Sequence, residues 1–228
     1  MARNRSPLVK LQGTIGDMTF VKSNRYGEHV RAKRYSKTPF VMTDALQVSK
    51  DRLQDCNRYV QQLFRGMRSE VHHGAMWERL LSIYFAYLKA GNPFGLVCFQ
   101  GFECNLQHPL SEVLPFGYHF SATRDQNKVQ VQVQLDGAPA VKDAMPRTGY
   151  QLRVLALSHN PTGTECYKHL ALGPVTTYDA PLAPIELTIP LPDADTPVML
   201  LLGIIPHTRG VGATKIMSDS GMKVVWVG

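Results

Sequence analysis

Apolar and polar positions follow three successive regimes along the chain. Over the first forty-odd residues they alternate in short runs, Val9 to Leu11, Met18 to Val21 and His29 to Lys33. Gly13-Thr14-Ile15-Gly16-Asp17 and the stretch Ser23 to Gly27 interrupt these runs, and such Gly, Asn and Asp clusters suit hairpin turns. From Thr43 the period lengthens. Thr43 followed by Asp44 makes a helix N-cap, and Leu46, Leu53, Cys56, Val60, Leu63 and Met67 recur at spacings of seven, three, four, three and four, one stripe of a helix. After a break at His72-His73-Gly74, the stretch Met76 to Leu88 is apolar on nearly every side, which predicts a buried helix. Gly91-Asn92-Pro93 ends it.

Beyond Phe94 the pattern is that of strands. Val129, Val131, Val133 and Leu135 alternate with Gln130, Gln132 and Gln134, the signature of a strand buried on one face. Phe116 to Thr123, Tyr150 to Ser158, Cys166 to Leu172, Ile185 to Leu191, Val198 to Ile205 and Met222 to Val227 are further candidates. Seven strands with no helix between them predict an antiparallel sandwich of Greek-key type. The chain therefore reads as α+β: a basic β-hairpin arm over 1–42, a helical segment over 43–93 and an immunoglobulin/fibronectin-like β-sandwich over 94–228.

Charge changes this picture. The first fifty residues hold ten basic and three acidic side chains, an excess equal to the +7 of all 228 residues, so the remainder is neutral with fifteen of each sign. A basic arm on a neutral body is an electrostatic hook for nucleic acid or an acidic protein surface. The opening MARNRSPLVKL lacks the apolar run of a signal peptide, and Val198 to Ile205 is too short to span a bilayer, so synthesis in the cytoplasm and no membrane partner are expected. Cys56, Cys98, Cys104 and Cys166 fall in core-like runs and read as free buried thiols.

The arm also carries a resemblance. Leu11-Gln12-Gly13-Thr14-Ile15-Gly16-Asp17-Met18-Thr19-Phe20, followed by Val30-Arg31-Ala32-Lys33, resembles the opening of a large group of Bacteroidota proteins known as domains of unknown function. These share a Gly-x-x-Gly-Asp-apolar-Thr-Phe hairpin and a Val-Arg-x-Lys strand, and Val198 to Ile204 resembles their penultimate strand. The resemblance implies a helical middle and a sandwich end, together with the mobile-element or prophage origin of many members, and hence a virion or assembly role. It implies no catalytic residues.

Candidate chemistry is sparse. Cys98, Cys104 and His108, with Cys166 and His169, hold zinc-ligand residue types but lack the tight Cys-x2-4-Cys spacing of structural sites. His72-His73 reads as a polar linker. Arg209-Gly210-Val211-Gly212-Ala213-Thr214-Lys215 has phosphate-loop residues without the Walker spacing or a following helix, and Gly13 with Gly16 forms a Gly-x-x-Gly flanked by strands where an RNA clamp needs helices. No metal, cofactor, small-molecule substrate or enzymatic activity is expected. Two uses of the arm remain. Ile15, Met18, Phe20 and Val21 suit self-association, because a purely electrostatic tail needs no such side chains. Arg25, Arg31, Lys33, Arg34 and Lys37, with Tyr26, Tyr35 and Phe40 for stacking, suit nucleic acid.

Overall fold

The computed structural model describes residues 2–3, 13–23, 27–32, 42–71, 73–140, 147–159, 166–208 and 221–228. The chain divides into two compact units, Met1–Leu46 and Gln47–Gly228. It is α+β, and all its sheets are antiparallel.

The first unit holds one small sheet. Its strands are β1 (Ala2–Arg3), β2 (Gly13–Ile15), β3 (Met18–Ser23) and β4 (Gly27–Ala32), in the order β1-β4-β3-β2. The turn expected over Gly13 to Asp17 is shorter than that: Gly13–Ile15 pairs with β3, and only Gly16 and Asp17 link the strands. Gly16 takes φ +56, a left-handed conformation that a side chain disfavours. The Val9 to Leu11 run lies outside the described residues.

The second unit opens with α1 (Asp44–Arg68), whose first residues belong to the preceding unit, and α2 (Met76–Lys89). Thr43 caps α1 as expected, its Oγ1 accepting the Leu46 amide at 3.4 Å. The apolar stripe of α1 is buried only along its second half, at Cys56, Val60, Leu63 and Met67. Leu46 and Leu53 remain 46% and 43% exposed, contrary to a continuous core stripe. The expectation for α2 is likewise corrected. Met76, Leu80 and Tyr84 are buried and Leu81, Ile83 and Phe85 partly so, but Glu78, Ser82, Ala86 and Lys89 are exposed, because the sheet covers one side of the helix and leaves the other bare.

A 3-10 turn (Val97–Phe99) and a short helix α3 (Leu110–Val113) fill a segment that the alternation did not anticipate. Among the described residues seven strands follow: β5 (Tyr118–Asp125), β6 (Lys128–Leu135), β7 (Arg147–Ser158), β8 (Tyr167–Thr177), β9 (Ile185–Pro190), β10 (Val198–Thr208) and β11 (Met222–Val227). They form two sheets, β5-β6-β9 and β11-β10-β7-β8. Phe116, expected at the start of a strand, precedes β5 and is exposed.

Two apolar cores explain the layering. Val129, Val131 and Val133 of β6 and Ile189 of β9 meet Leu152, Val154, Ala156, Leu200 and Leu202 between the two sheets. On its other face the four-stranded sheet presents Leu155, Leu157, Met199, Leu201 and Val224 to Val60, Leu63, Met67, Leu80 and Tyr84 of the helices. Hence β7 and β10, buried on both faces, read as unbroken apolar runs, whereas β6, with one face in solvent, alternates. Gly66 lets α1 lie close to the sheet: a Cβ there would sit 2.7 Å from Cys166 Sγ and from Leu157 Cδ2.

Candidate functional site

Within the arm sheet, strand pleating sorts side chains by register. Gly13 and Val30 stand opposite Phe20, and Ile15 and Ala32 stand opposite Met18, so Ile15, Met18, Phe20, Val30 and Ala32 share one face, with the Lys22–Glu28 pair at its far end. Thr14, Thr19 and Arg31 form a row on the other face, where Val21 stands opposite His29. Three of the four apolar residues singled out for self-association are thus brought together, and Val21 is not. That split follows from the period of two along β3.

The apolar face is open. Ile15 is 58% and Met18 52% exposed, while Phe20 and Val30 are half-buried. The opposite face is polar and better tied. Thr14 Oγ1 and Thr19 Oγ1 lie 3.2 Å apart, and buried His29 places Nδ1 3.2 Å from the Gly27 carbonyl. Arg31 is exposed on this polar face. Of the other basic candidates, Arg25, Lys33, Arg34 and Lys37 lie outside the described residues, as do Tyr26, Tyr35 and Phe40.

The cysteines lie in the second unit. All four cysteines are free. Burial pushes the Cys98 and Cys104 thiols up to about 12 and raises Cys56 as well, so each is a neutral thiol near pH 7. Cys166 donates to the Gln62 carbonyl at 3.3 Å. Among the described residues no three His, Cys, Asp or Glu side chains converge as a metal site, so Cys98, Cys104, His108, Cys166 and His169 are not gathered into one. His73 Nδ1 accepts the Ala75 amide at 3.4 Å, a local turn contact, while His72 and residues 209–215 lie outside the described residues.

Two constellations in this unit escaped sequence reasoning. Arg153, only 1% exposed on β7, reaches the turn after α1, where its Nη1 lies 3.3 Å from Glu70 Oε2 and its Nη2 donates to the Glu70 carbonyl at 3.0 Å. Lys168 of β8 donates to Glu70 Oε1 at 2.7 Å and also to Ser69 Oγ. An arginine inside the apolar run of β7 was a visible signal, since such a charge demands a carboxylate. Its partner lies 83 residues away and carried no mark. The second constellation is aromatic: Tyr59 and Tyr84 stack at 4.5 Å, His159 caps Tyr59 at 4.0 Å, and Phe99 lies 5.7 Å from Tyr84.

The chain matches no family model, no curated protein and no solved structure. Among the described residues no helix is long and apolar enough to cross a membrane.

Proposed function

We propose that the protein is a non-enzymatic structural or assembly subunit that self-associates through its N-terminal arm. The observation that carries this reading is the exposed apolar face formed by Ile15, Met18, Phe20 and Val30 on a small sheet. Short strands gain little stability alone, and a bare apolar face calls for a surface to cover it. A second copy supplies one, through face packing or through addition of arm strands to a sheet edge. Repeated head to tail, such a contact builds rings, tubes or shells. The resemblance to Bacteroidota proteins of mobile elements and prophages supports a virion component made in the cytoplasm.

We also take the body as an immunoglobulin- or fibronectin-like sandwich. In chain order its first, second and fifth strands form one sheet, and its fourth, third, sixth and seventh the other. The immunoglobulin constant arrangement has the same groups except that its fourth strand joins the first sheet.

The test is Ile15→Asp with Phe20→Asp in the full-length protein, examined by light scattering and negative-stain imaging. Higher oligomers are expected to disappear while the thermal transition of the body stays within a few degrees, because every buried member of its two cores lies at Cys56 or beyond. Assembly equal to that of the parent overturns the reading.

A second reading, nucleic-acid binding, is favoured by one observation. Arg31 stands exposed on the arm face opposite to the apolar one. An arm with two different faces can bury one against protein and offer the other to phosphates.

A further inference from the structure

The outward side of α2 carries a pattern of its own, at the edge of the core against which Leu81 and Phe85 are partly packed. Glu78, Ser82, Phe85 and Lys89 are spaced by four, three and four, so they form one stripe along the helix. Glu78, Ser82 and Lys89 are exposed and Phe85 is half-buried. Beside this stripe Ser49 and Leu53 of α1, with Leu81 of α2, complete an apolar groove of about 310 Å³. The stripe is acidic at one end and basic at the other, with Ser82 and the half-buried Phe85 between them. Among the described residues neither Glu78 nor Lys89 enters a salt bridge.

We propose that this groove is an interface between two copies of the chain, related by a two-fold axis crossing α2 between Ser82 and Phe85. Two identical helices laid antiparallel about that point bring position 78 opposite 89 and position 82 opposite 85. Each Glu78 then meets the partner subunit's Lys89. Each Ser82 leaves room for the partner subunit's Phe85, which enters the groove beside Leu53 and Leu81. A parallel arrangement would place like charges together. An isologous contact needs a surface complementary to itself after a two-fold rotation, and this charge order supplies it. The paired charges set register and exclude other registers, while the apolar centre supplies the affinity. A contact limited to these two helices lies at the small end of stable interfaces, so a dimer that dissociates on dilution is expected. The interface is distinct from the arm contact, and a subunit with both can extend in more than one direction.

The experiment uses the full-length chain carrying Ile15→Asp and Phe20→Asp, which silences the arm, with sedimentation velocity over a wide concentration range. This protein is expected to be a dimer at high concentration. Glu78→Lys sets two lysines against each other at both ends of the contact, and the dissociation constant should rise about tenfold or more. Adding Lys89→Glu restores opposite charges in swapped order and should return it to within about threefold of the starting value. Both sites are exposed, so neither change disturbs the core. A starting protein that stays monomeric overturns the proposal, and so does a double variant no tighter than Glu78→Lys alone. A protein with its native arm that grows no larger than a dimer would instead overturn the arm reading and leave this one standing.

Discussion

His159 covers one ring of the Tyr59–Tyr84 stack, and its partial burial holds its pKa below the ordinary 6.5. In the unfolded chain the same imidazole titrates near 6.5. As pH falls below that value the unfolded state takes up a proton that the folded state refuses, so stability declines as pH falls toward the lower folded value. His159→Phe keeps an aromatic ring on Tyr59 and removes the titration. Urea unfolding at a series of pH values between about 5 and 7 is therefore expected to give a flatter dependence for the variant than for the parent. At this scale the sequence was legible where pattern alone decides. The alternation of β6 matches its burial residue by residue, and Thr43 is the cap of α1. Val21 falls on the other face from Ile15, Met18 and Phe20, because a list of apolar residues says nothing about face until register is fixed. His159 carried no signal at all, since its neighbour Tyr59 comes from a different element.

Among the elements, the turn after α1 is joined to β7 and β8 through one carboxylate. Glu70 takes the buried guanidinium of Arg153 on one oxygen and the Lys168 ammonium on the other. Removing one member of a buried pair leaves the other desolvated and unmatched, so Arg153→Ala should cost about 3–5 kcal/mol in urea unfolding. Lys168→Ala should cost no more than about 1 kcal/mol, because that side chain reaches from a partly exposed site. Equal losses would mean that burial is not what separates the two cations. Most elements were legible for a related reason. The strands of the body announce themselves by alternation or by unbroken apolar runs, and the second half of α1 by its stripe. The exposed side of α2 was not legible, because Trp77, Leu81, Ile83 and Phe85 give the helix apolar residues all round and only tertiary placement decides which stay partly bare. The segment that contains the 3-10 turn and α3 has no period to read. It is held instead by pairing with β11, through the Val224 amide to the Phe102 carbonyl and the Cys104 amide to the Met222 carbonyl.

For the whole molecule, the decisive asymmetry is electrostatic: an arm that holds the entire excess charge, joined to a neutral body. Sequence shows this in full, since charge counting needs no fold. What it cannot show is that Arg31 and the apolar trio fall on opposite faces of one sheet, an arrangement that would let the two proposed uses of the arm coexist. If five to seven basic side chains contact duplex DNA phosphates, counterion release sets a slope of about −4 to −6 for log affinity against log salt. Little sequence preference is expected, because phosphate contacts position a protein without reading bases. Replacing Arg31, Lys33, Arg34 and Lys37 by Ser removes four of those contacts and should flatten the slope by about 3 to 4. Ile15→Asp with Phe20→Asp alters the other face, so in a fluorescence-anisotropy titration of a labelled duplex it should change the slope by only about 1 to 2, the weakening expected from two added negative charges. A slope that responds equally to both sets of changes would mean that DNA binding depends on assembly. Absence of binding even at low salt would confine the basic arm to acidic surfaces on protein, and the charge would then act between subunits.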